Sequence, residues 1–125
     1  MHDPIPHNGQ VEAKAFVIQL EGEFDLSERE RLTDAFSVPR SAPAVVVDLK
    51  RTTYIDSTVL SCLVSLDMAT KERGGRLFIV GASPAISRIL AITSLDKRLN
   101  VLASLSDLSN LDLAQARRLT LVAQS

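Results

Sequence analysis

Three consecutive polar residues, Asp56, Ser57 and Thr58, stand where an apolar segment gives way to a predicted helix. Free backbone amides at the amino end of a helix attract anions, and the helix dipole adds to that attraction. A phosphate on the Ser57 hydroxyl would add about −1.5 to −2 charges at a point where the backbone tolerates them. The same residue types are also common helix caps, and capping is the more frequent role. The spacing alone therefore leaves two interpretations, a phosphorylation site and a plain helix cap.

Nucleophilic catalysis by Ser57 would require a base, and the sequence offers little for that purpose. The chain has two histidines, His2 and His7, and both lie in the amino-terminal tail. The Gly-x-Ser-x-Gly elbow of serine hydrolases is absent, and no glycine-rich phosphate-binding loop is recognisable. His2, Asp3 and His7 could hold a metal ion only loosely, so we expect no metal and no cofactor. We therefore expect a protein that is not an enzyme.

The composition indicates one small globular domain with balanced charge. Its 125 residues, of which 46% are hydrophobic and 23% charged, are enough to bury a core without disulfides or metals. Lys and Arg number 14 and Asp and Glu number 15, so the net charge is −1, which argues against direct binding to nucleic acid.

The single cysteine and the apolar runs indicate the compartment. Cys62 has no partner for an internal disulfide and fits a reducing cytosol. Its place on an apolar helical stripe predicts an inert core thiol. No apolar run is long enough for a membrane span, and residues 1–9 lack the features of a secretory signal. We therefore expect a cytoplasmic protein without a membrane span.

The first half of the chain predicts strand, helix and strand. Alternation of apolar residues predicts a strand over 15–20, which Gly22 closes. Ser27 and Glu30 have the spacing of a capping box at the start of a helix. The apolar run over 44–49 lacks alternation, which is typical of a central parallel strand with both faces covered.

The second half continues the alternation and completes an α/β pattern. The order predicts a mixed, mostly parallel sheet of four to five strands with about four helices, and the first strand could add an antiparallel edge. We assign residues 1–12 to a flexible tail or short strand and 13–125 to a single domain. The remaining elements are expected as a loop at 51–56, helices at 57–74 and 84–93, strands at 76–80 and 99–103, and a final helix from 106 or 109 to 121.

Several short motifs occur in a characteristic order from about Ala13 to Ser106. They are Gly22-Glu23-Phe24-Asp25, Asp48-Leu49, Tyr54-Ile55, Asp56-Ser57-Thr58, Gly74-Gly75-Arg76-Leu77 and Gly81-Ala82-Ser83-Pro84. Together they resemble the signature of the bacterial anti-sigma factor antagonist family, whose fold is the STAS domain. One departure is Val59, which stands where that family usually has glycine.

The resemblance implies regulation of transcription by partner switching. In the family, the first serine after the aspartate is the phosphorylation site, which corresponds to Ser57, and Asp25 corresponds to an acidic residue beside it. The unphosphorylated protein binds an anti-sigma factor, usually a serine protein kinase, and phosphorylation releases it until a phosphatase resets the switch. The expected partner-binding residues are Gly22, Glu23, Asp25, Asp56, Ser57, Thr58 and Val59.

Two other interpretations stay open at this point. The same fold could act without a switch, as a scaffold or accessory subunit of a signalling complex or of a membrane lipid transporter. A response-regulator receiver would use Asp48 at a strand end, but the early acidic pair and the late lysine of such a domain are missing. The sequence leaves the sigma factor, the kinase, the signal and the oligomeric state open.

Overall fold

Strands and helices alternate along most of the chain, in agreement with the sequence pattern. The structure, a computed structural model, describes residues 13–39, 41–108 and 111–124, so the tail expected at 1–12 lies outside the described residues. The strands are β1 (Ala13–Phe24), β2 (Ala44–Asp48), β3 (Thr52–Ile55), β4 (Arg76–Val80), β5 (Asn100–Leu102) and β6 (Leu111–Val122). The helices are α1 (Arg29–Phe36), α2 (Ser57–Glu72), α3 (Pro84–Ile92) and α4 (Leu95–Arg98).

The long strand β1 organises the sheet. Its middle pairs with β2, its carboxyl end pairs with β3, and the path continues from β2 to β4 and β5. Strand β6 pairs with β1 along the edge that lies opposite β2. Every pairing between the described strands is parallel, so the described sheet has six strands and shows no antiparallel edge. The mostly parallel α/β fold expected from the sequence is confirmed.

Apolar residues on alternate sides of the strands form two cores. One face packs against α1, α2 and α3 through residues such as Ile18, Val47 and Leu63. The other face, which includes Val17 and Val46, is covered by the chain that follows β5 rather than by a helix. All five residues of β2 are buried. The prediction of a central strand covered on both faces is therefore confirmed.

The carboxyl-terminal segment is a strand, and the predicted helix over 106–121 was wrong. Leu111 and Leu113 alternate with polar residues, as do Leu119 and Leu121, but the Ala-Gln-Ala-Arg-Arg run between the pairs favours a helix. Without β6, one edge of β1 would present a row of unpaired backbone groups. Pairing with that edge outweighs the local helical preference.

Three smaller expectations also need correction. β1 does not close at Gly22 but continues to Phe24, with a shift of register after Gly22. Gly22 has a φ of 108°, and a Cβ there would lie 3.0 Å from the Cβ of Ala123. The loop expected at 51–56 contains β3. The capping box expected at Ser27 is absent, because Asp25 caps a short 3-10 turn (Leu26–Glu28) that precedes α1.

A buried carboxylate on α2 has one charged partner. The side chain of Asp67 is 1% exposed, and its Oδ2 lies 3.0 Å from the Nζ of Lys71, whose side chain is 57% exposed. Neither carboxylate oxygen accepts a hydrogen bond of good geometry from any described residue. The Lys71 ammonium is therefore the group that compensates this buried charge.

Replacing Lys71 with Met should lower the free energy of unfolding by about 1–2 kcal/mol, less than a fully buried pair would lose because Lys71 is partly solvated. Urea denaturation measures the loss. The matched control is the same replacement in an Asp67→Leu background, where the loss should fall below about 0.5 kcal/mol. Equal losses in both backgrounds would show that the ion pair contributes nothing.

Candidate functional site

The candidate site forms where two neighbouring parallel strands end. Phe24 of β1 and Ile55 of β3 are register partners. The residues that follow them, Asp25 and Asp56, therefore leave the sheet at the same level. Asp25 begins the 3-10 turn before α1, and Asp56 is the N-cap of α2. The parallel register explains how two motifs some thirty residues apart in sequence meet in the fold.

The Asp56 carboxylate joins these two segments. Its Oδ1 accepts a hydrogen bond from the backbone amide of Thr58 at 2.8 Å, which caps α2. Its Oδ2 accepts one from the backbone amide of Leu26 at 3.1 Å, across to the 3-10 turn. Each oxygen of one side chain thus satisfies a backbone donor that its own element leaves unpaired.

The Asp25 carboxylate organises its own turn. Its Oδ1 accepts hydrogen bonds from the Ser27 amide at 2.9 Å and from the Ser27 hydroxyl at 2.6 Å. The hydroxyl and the amide of Ser27 together lower the pKa of Asp25, and the hydroxyl contributes most. The serine that the sequence assigned to a cap is thus a donor, and the aspartate two residues earlier is the acceptor.

Ser57 is the first residue of α2, and its side chain is exposed. The fold therefore leaves this residue accessible to a transferase, as phosphorylation would require. Thr58 is partly buried beside it. The N-cap interpretation applies to Asp56, whereas Ser57 follows the cap.

A groove of about 500 Å³ runs between α1 and α2 from Ser57. The described residues that line it are mostly small or hydroxylated, part of its surface is apolar, and Arg29 is the one charged side chain among them. The lining consists of Arg29, Thr33, Phe36, Ser37, Ser57, Thr58, Ser61, Cys62, Ser65, Leu66 and Ala69. Sequence analysis missed this groove. The available signal was the serine row at 57, 61 and 65, which recurs every four residues on one face of a helix.

Cys62 lies on the wall of this groove rather than wholly within the core. It is partly exposed and packs against the main core. Burial is the main cause that raises the pKa of the Cys62 thiol, while Thr33 and Arg29 act in the opposite direction. Burial thus favours the neutral thiol, and the low reactivity expected from the sequence stays a prediction.

The other residues singled out in the sequence differ in accessibility. Glu23 is exposed and Gly22 partly buried, both near the carboxyl end of β1. Val59 is 0% exposed and belongs to the main core, so a partner docking on the folded surface would not touch its side chain. Asp48 is also buried, and its Oδ1 accepts a hydrogen bond from the Lys50 amide at 2.9 Å.

Two exposed apolar side chains near the strand ends were not expected from the sequence. Leu26 is 64% exposed, and its amide is the donor to Asp56. Tyr54 is 49% exposed on β3, in register with Glu23. Both side chains are therefore available as apolar contacts for a partner that docks at the strand ends. Only the tertiary structure reveals which apolar residues the core leaves uncovered.

The fold and motifs define a family. A family model described as "Mlab, STAS domain" matches residues 8–105. The chain belongs to the STAS-domain family, and the resemblance found in the sequence is confirmed at this level. A STAS-domain-containing protein of Pseudomonas aeruginosa (strain UCBPP-PA14) is 28% identical over 88 residues, which are 70% of this chain and 87% of that protein.

Solved structures show the same fold. A sulfate transporter family protein from Wolinella succinogenes matches with a TM-score of 0.68 and 19% identity, over 86% of this chain and 93% of that one. The anti-sigma factor antagonist SpoIIAA in its unphosphorylated form matches with a TM-score of 0.60 and 16% identity, over 78% of this chain and 86% of that one. At these identities the similarity establishes the architecture, and it includes proteins of two functional classes.

Two further observations concern the described residues. None of their helices combines the length and the hydropathy that crossing a bilayer requires. Within the same residues, His, Cys, Asp and Glu side chains do not gather in groups of three or more that could hold a metal ion. His2, Asp3 and His7 lie outside the described part of the chain.

Replacing Asp56 with Ala should lower the free energy of unfolding by about 1–2 kcal/mol, since both the α2 cap and the bond to Leu26 are lost. Asp56→Asn should lower the free energy of unfolding by less, because asparagine keeps one acceptor oxygen. Some stability is still lost, because its NH2 group faces the second backbone donor. Urea denaturation measures both. Asp96→Ala, an exposed control on α4, should change stability by less than about 0.5 kcal/mol. An Asp56→Ala protein as stable as this control would show that the two hydrogen bonds of Asp56 do not stabilise the fold.

Replacing Ser27 with Ala should raise the pKa of Asp25, because the hydroxyl that stabilises the ionised carboxylate is removed. Because folding lowers this pKa, ionised Asp25 stabilises the folded state at pH values above the ordinary pKa of an aspartate. This stabilisation is lost as the pH falls through the pKa that Asp25 has in the folded protein. Carboxyl ¹³C NMR titration measures the pKa. Ser87→Ala, on exposed α3 surface, should leave the pKa of Asp25 unchanged. An unchanged pKa in Ser27→Ala would refute the assignment.

Proposed function

We propose that the protein is an anti-sigma factor antagonist that works by partner switching. Unphosphorylated, it binds an anti-sigma factor that is also a serine protein kinase, and the sigma factor is freed. Phosphorylation of Ser57 releases the antagonist, and a phosphatase restores the binding form. The observation that carries this proposal is the exposed position of Ser57, directly after Asp56, whose carboxylate holds the helix start through two hydrogen bonds.

The phosphorylation step is simple in chemical terms. The Ser57 oxygen attacks the γ-phosphorus of ATP, its proton leaves to a base of the kinase, and ADP departs. The product gains about −1.5 to −2 charges at pH 7. A phosphatase would return the hydroxyl by transferring the phosphoryl group to water. The antagonist contributes only the accessible hydroxyl, and the kinase supplies the catalytic groups.

The proposed docking surface surrounds the strand ends. It comprises the Gly22–Asp25 segment and the first residues of α2, with Leu26 and Tyr54 as apolar anchors. Val59 is left out because its side chain is buried. Apolar anchors inside a polar rim are typical of protein interfaces. A phosphate introduced into such a surface must be desolvated or displaced, which weakens binding.

The fold should tolerate the modification. Core residues such as Val59 and Leu63 hold α2 in place, and Asp56 caps it without help from Ser57. A phosphate on the exposed side chain would therefore change the surface charge more than the structure. This separation between a stable helix and a modifiable first residue suits a switch that must be reset many times.

We further propose that the protein acts by binding and not by catalysis. The histidines of the chain, His2 and His7, are remote in sequence from Ser57. The nearest carboxylate in sequence, Asp56, already accepts hydrogen bonds from two backbone amides. Ser57 thus has no adjacent group assigned to remove its proton, which is what nucleophilic catalysis would need.

The alternative is a STAS domain that binds its partner constitutively, as an accessory subunit of a signalling complex or of a membrane transporter. Two observations favour it. The family description names Mlab, and one structural neighbour is a sulfate transporter family protein. The docking surface would be the same in this case, but Ser57 would serve as an uncharged contact and not as a switch.

The substitutions Ser57→Ala and Ser57→Asp distinguish the two functions. Tagged wild-type protein is purified from its native cells, Ser57 is examined for phosphate by mass spectrometry, and the co-purifying kinase is quantified. Partner switching predicts phosphate on Ser57, retention of the kinase by Ser57→Ala, and at least about tenfold weaker binding by Ser57→Asp, equivalent to about 1.4 kcal/mol. Ser87→Asp, which adds the same charge on α3, should bind like wild type.

Other results would favour the alternative. If Ser57 carries no phosphate and both variants retain their partner as well as wild type does, the switch is wrong. Co-purification of transporter subunits in that case would identify the accessory role. Turnover of an ester or phosphate substrate that Ser57→Ala abolishes would instead indicate an enzyme.

A further inference from the structure

Of the described residues that line the groove between α1 and α2, Arg29 is the cation, and it lies near the proposed phosphorylation site. Arg29, the first residue of α1, lines the groove together with Ser57 and Thr58. It forms no ion pair, hydrogen bond or ring contact with any of the residues that the structure describes. By contrast, Arg31, two residues later, is bonded to Glu28 and to the backbone of Val122. Arg29 is thus an uncommitted positive charge in the cavity that Ser57 borders.

Most backbone amides at the amino end of α2 are not available to bind a phosphate. The amide of Thr58 already donates to Asp56 Oδ1. The amides of Val59 and Leu60 donate to the Asp56 carbonyl oxygen, at 3.1 and 3.3 Å. Since these three amides have partners, they are not free to bind a phosphate, and we look for its counter-ion on another element.

The charges around Ser57 are unequal on its two sides. The carboxylates of Asp25 and Asp56 lie toward the strand ends, where both accept hydrogen bonds in the structure. Arg29 lies on the groove side, beside hydroxyl groups of Thr33 and Ser61. A dianion attached to Ser57 is repelled from the first direction and attracted toward the second.

We propose that Arg29 is the counter-ion of phosphorylated Ser57 and that the phosphate lodges in the groove between α1 and α2. This inference rests on the proposed function and specifies how the phosphorylated state is held. Guanidinium groups bind phosphate oxygens in a bidentate manner, and the surrounding hydroxyls can donate to the oxygens that Arg29 leaves free. The phosphorylated form then differs from the free form in groove occupancy as well as in charge.

A phosphate bound in the groove would have a consequence for Cys62. Its thiol lies on the groove wall, and Arg29 and Thr33 both interact with it. A phosphate held by Arg29 would cover the approach to this thiol. The rate at which iodoacetamide alkylates Cys62 therefore reports whether the phosphate points into the groove or into solvent.

The test uses the full chain with phosphoserine inserted at position 57 during translation, so that no kinase is needed. ³¹P NMR titration measures the second pKa of the phosphate. An adjacent arginine stabilises the dianion, so Arg29→Gln should raise this pKa by about one unit relative to the unsubstituted phosphoprotein. Arg88→Gln, which removes an exposed arginine on α3 outside the groove, should leave it unchanged. Arg29→Lys should give an intermediate value because it keeps the charge but not the fork geometry.

Cys62 alkylation provides the second measurement. Phosphorylation should slow the reaction several-fold in the unsubstituted chain. In the Arg29→Gln chain, the phosphorylated and unphosphorylated proteins should react at the same rate. An identical phosphate pKa in the Arg29→Gln and unsubstituted proteins, or an alkylation rate insensitive to phosphorylation, would overturn the inference. Absence of phosphate on Ser57 in native cells would instead refute the proposed function, because the inserted phosphoserine does not depend on a kinase.

Discussion

The two hydrogen bonds accepted by Asp56 determine where Ser57 lies. One oxygen caps α2 through Thr58, and the other holds the 3-10 turn through Leu26. The carboxylate thereby connects the ends of β1 and β3 and leaves Ser57 in the next position along the chain. Because a single side chain performs both tasks, the helix start, the acidic turn and the exposed serine have one fixed relative arrangement.

The parallel sheet explains how an exposed candidate site can exist here without weakening the fold. The carboxyl ends of adjacent parallel strands meet at one edge, and the loops that follow them are free to carry function. The core lies behind that edge, where β2 is fully buried. Ser57 and Leu26, which follow the strand ends, are exposed to solvent. Surface chemistry and packing therefore involve different residues.

Sequence analysis succeeded where the information was local. The Asp56 cap, the helix start at Ser83-Pro84 and the strand expected over 44–49 each depend on neighbouring residues. All three are present, the strand as Ala44–Asp48. Ser27 shows the limit of such reasoning, because a capping-box spacing exists but Asp25 competes for the same role and prevails. The function assigned to Ser57 remains a prediction, since geometry shows its accessibility and not its modification.

The sequence by itself determined the mostly parallel α/β class, the family and the position of the candidate phosphorylation site, because these follow from short-range patterns of apolar residues, caps and motifs. Only the tertiary structure decided that residues 111–122 form a strand and that Arg29 shares a groove with Ser57. Both outcomes depend on contacts between distant segments. An open edge of β1 selects the strand, and the packing of α1 on α2 creates the groove. The local signals, alternating leucines in β6 and a serine row on α2, are too weak to predict either interaction by themselves.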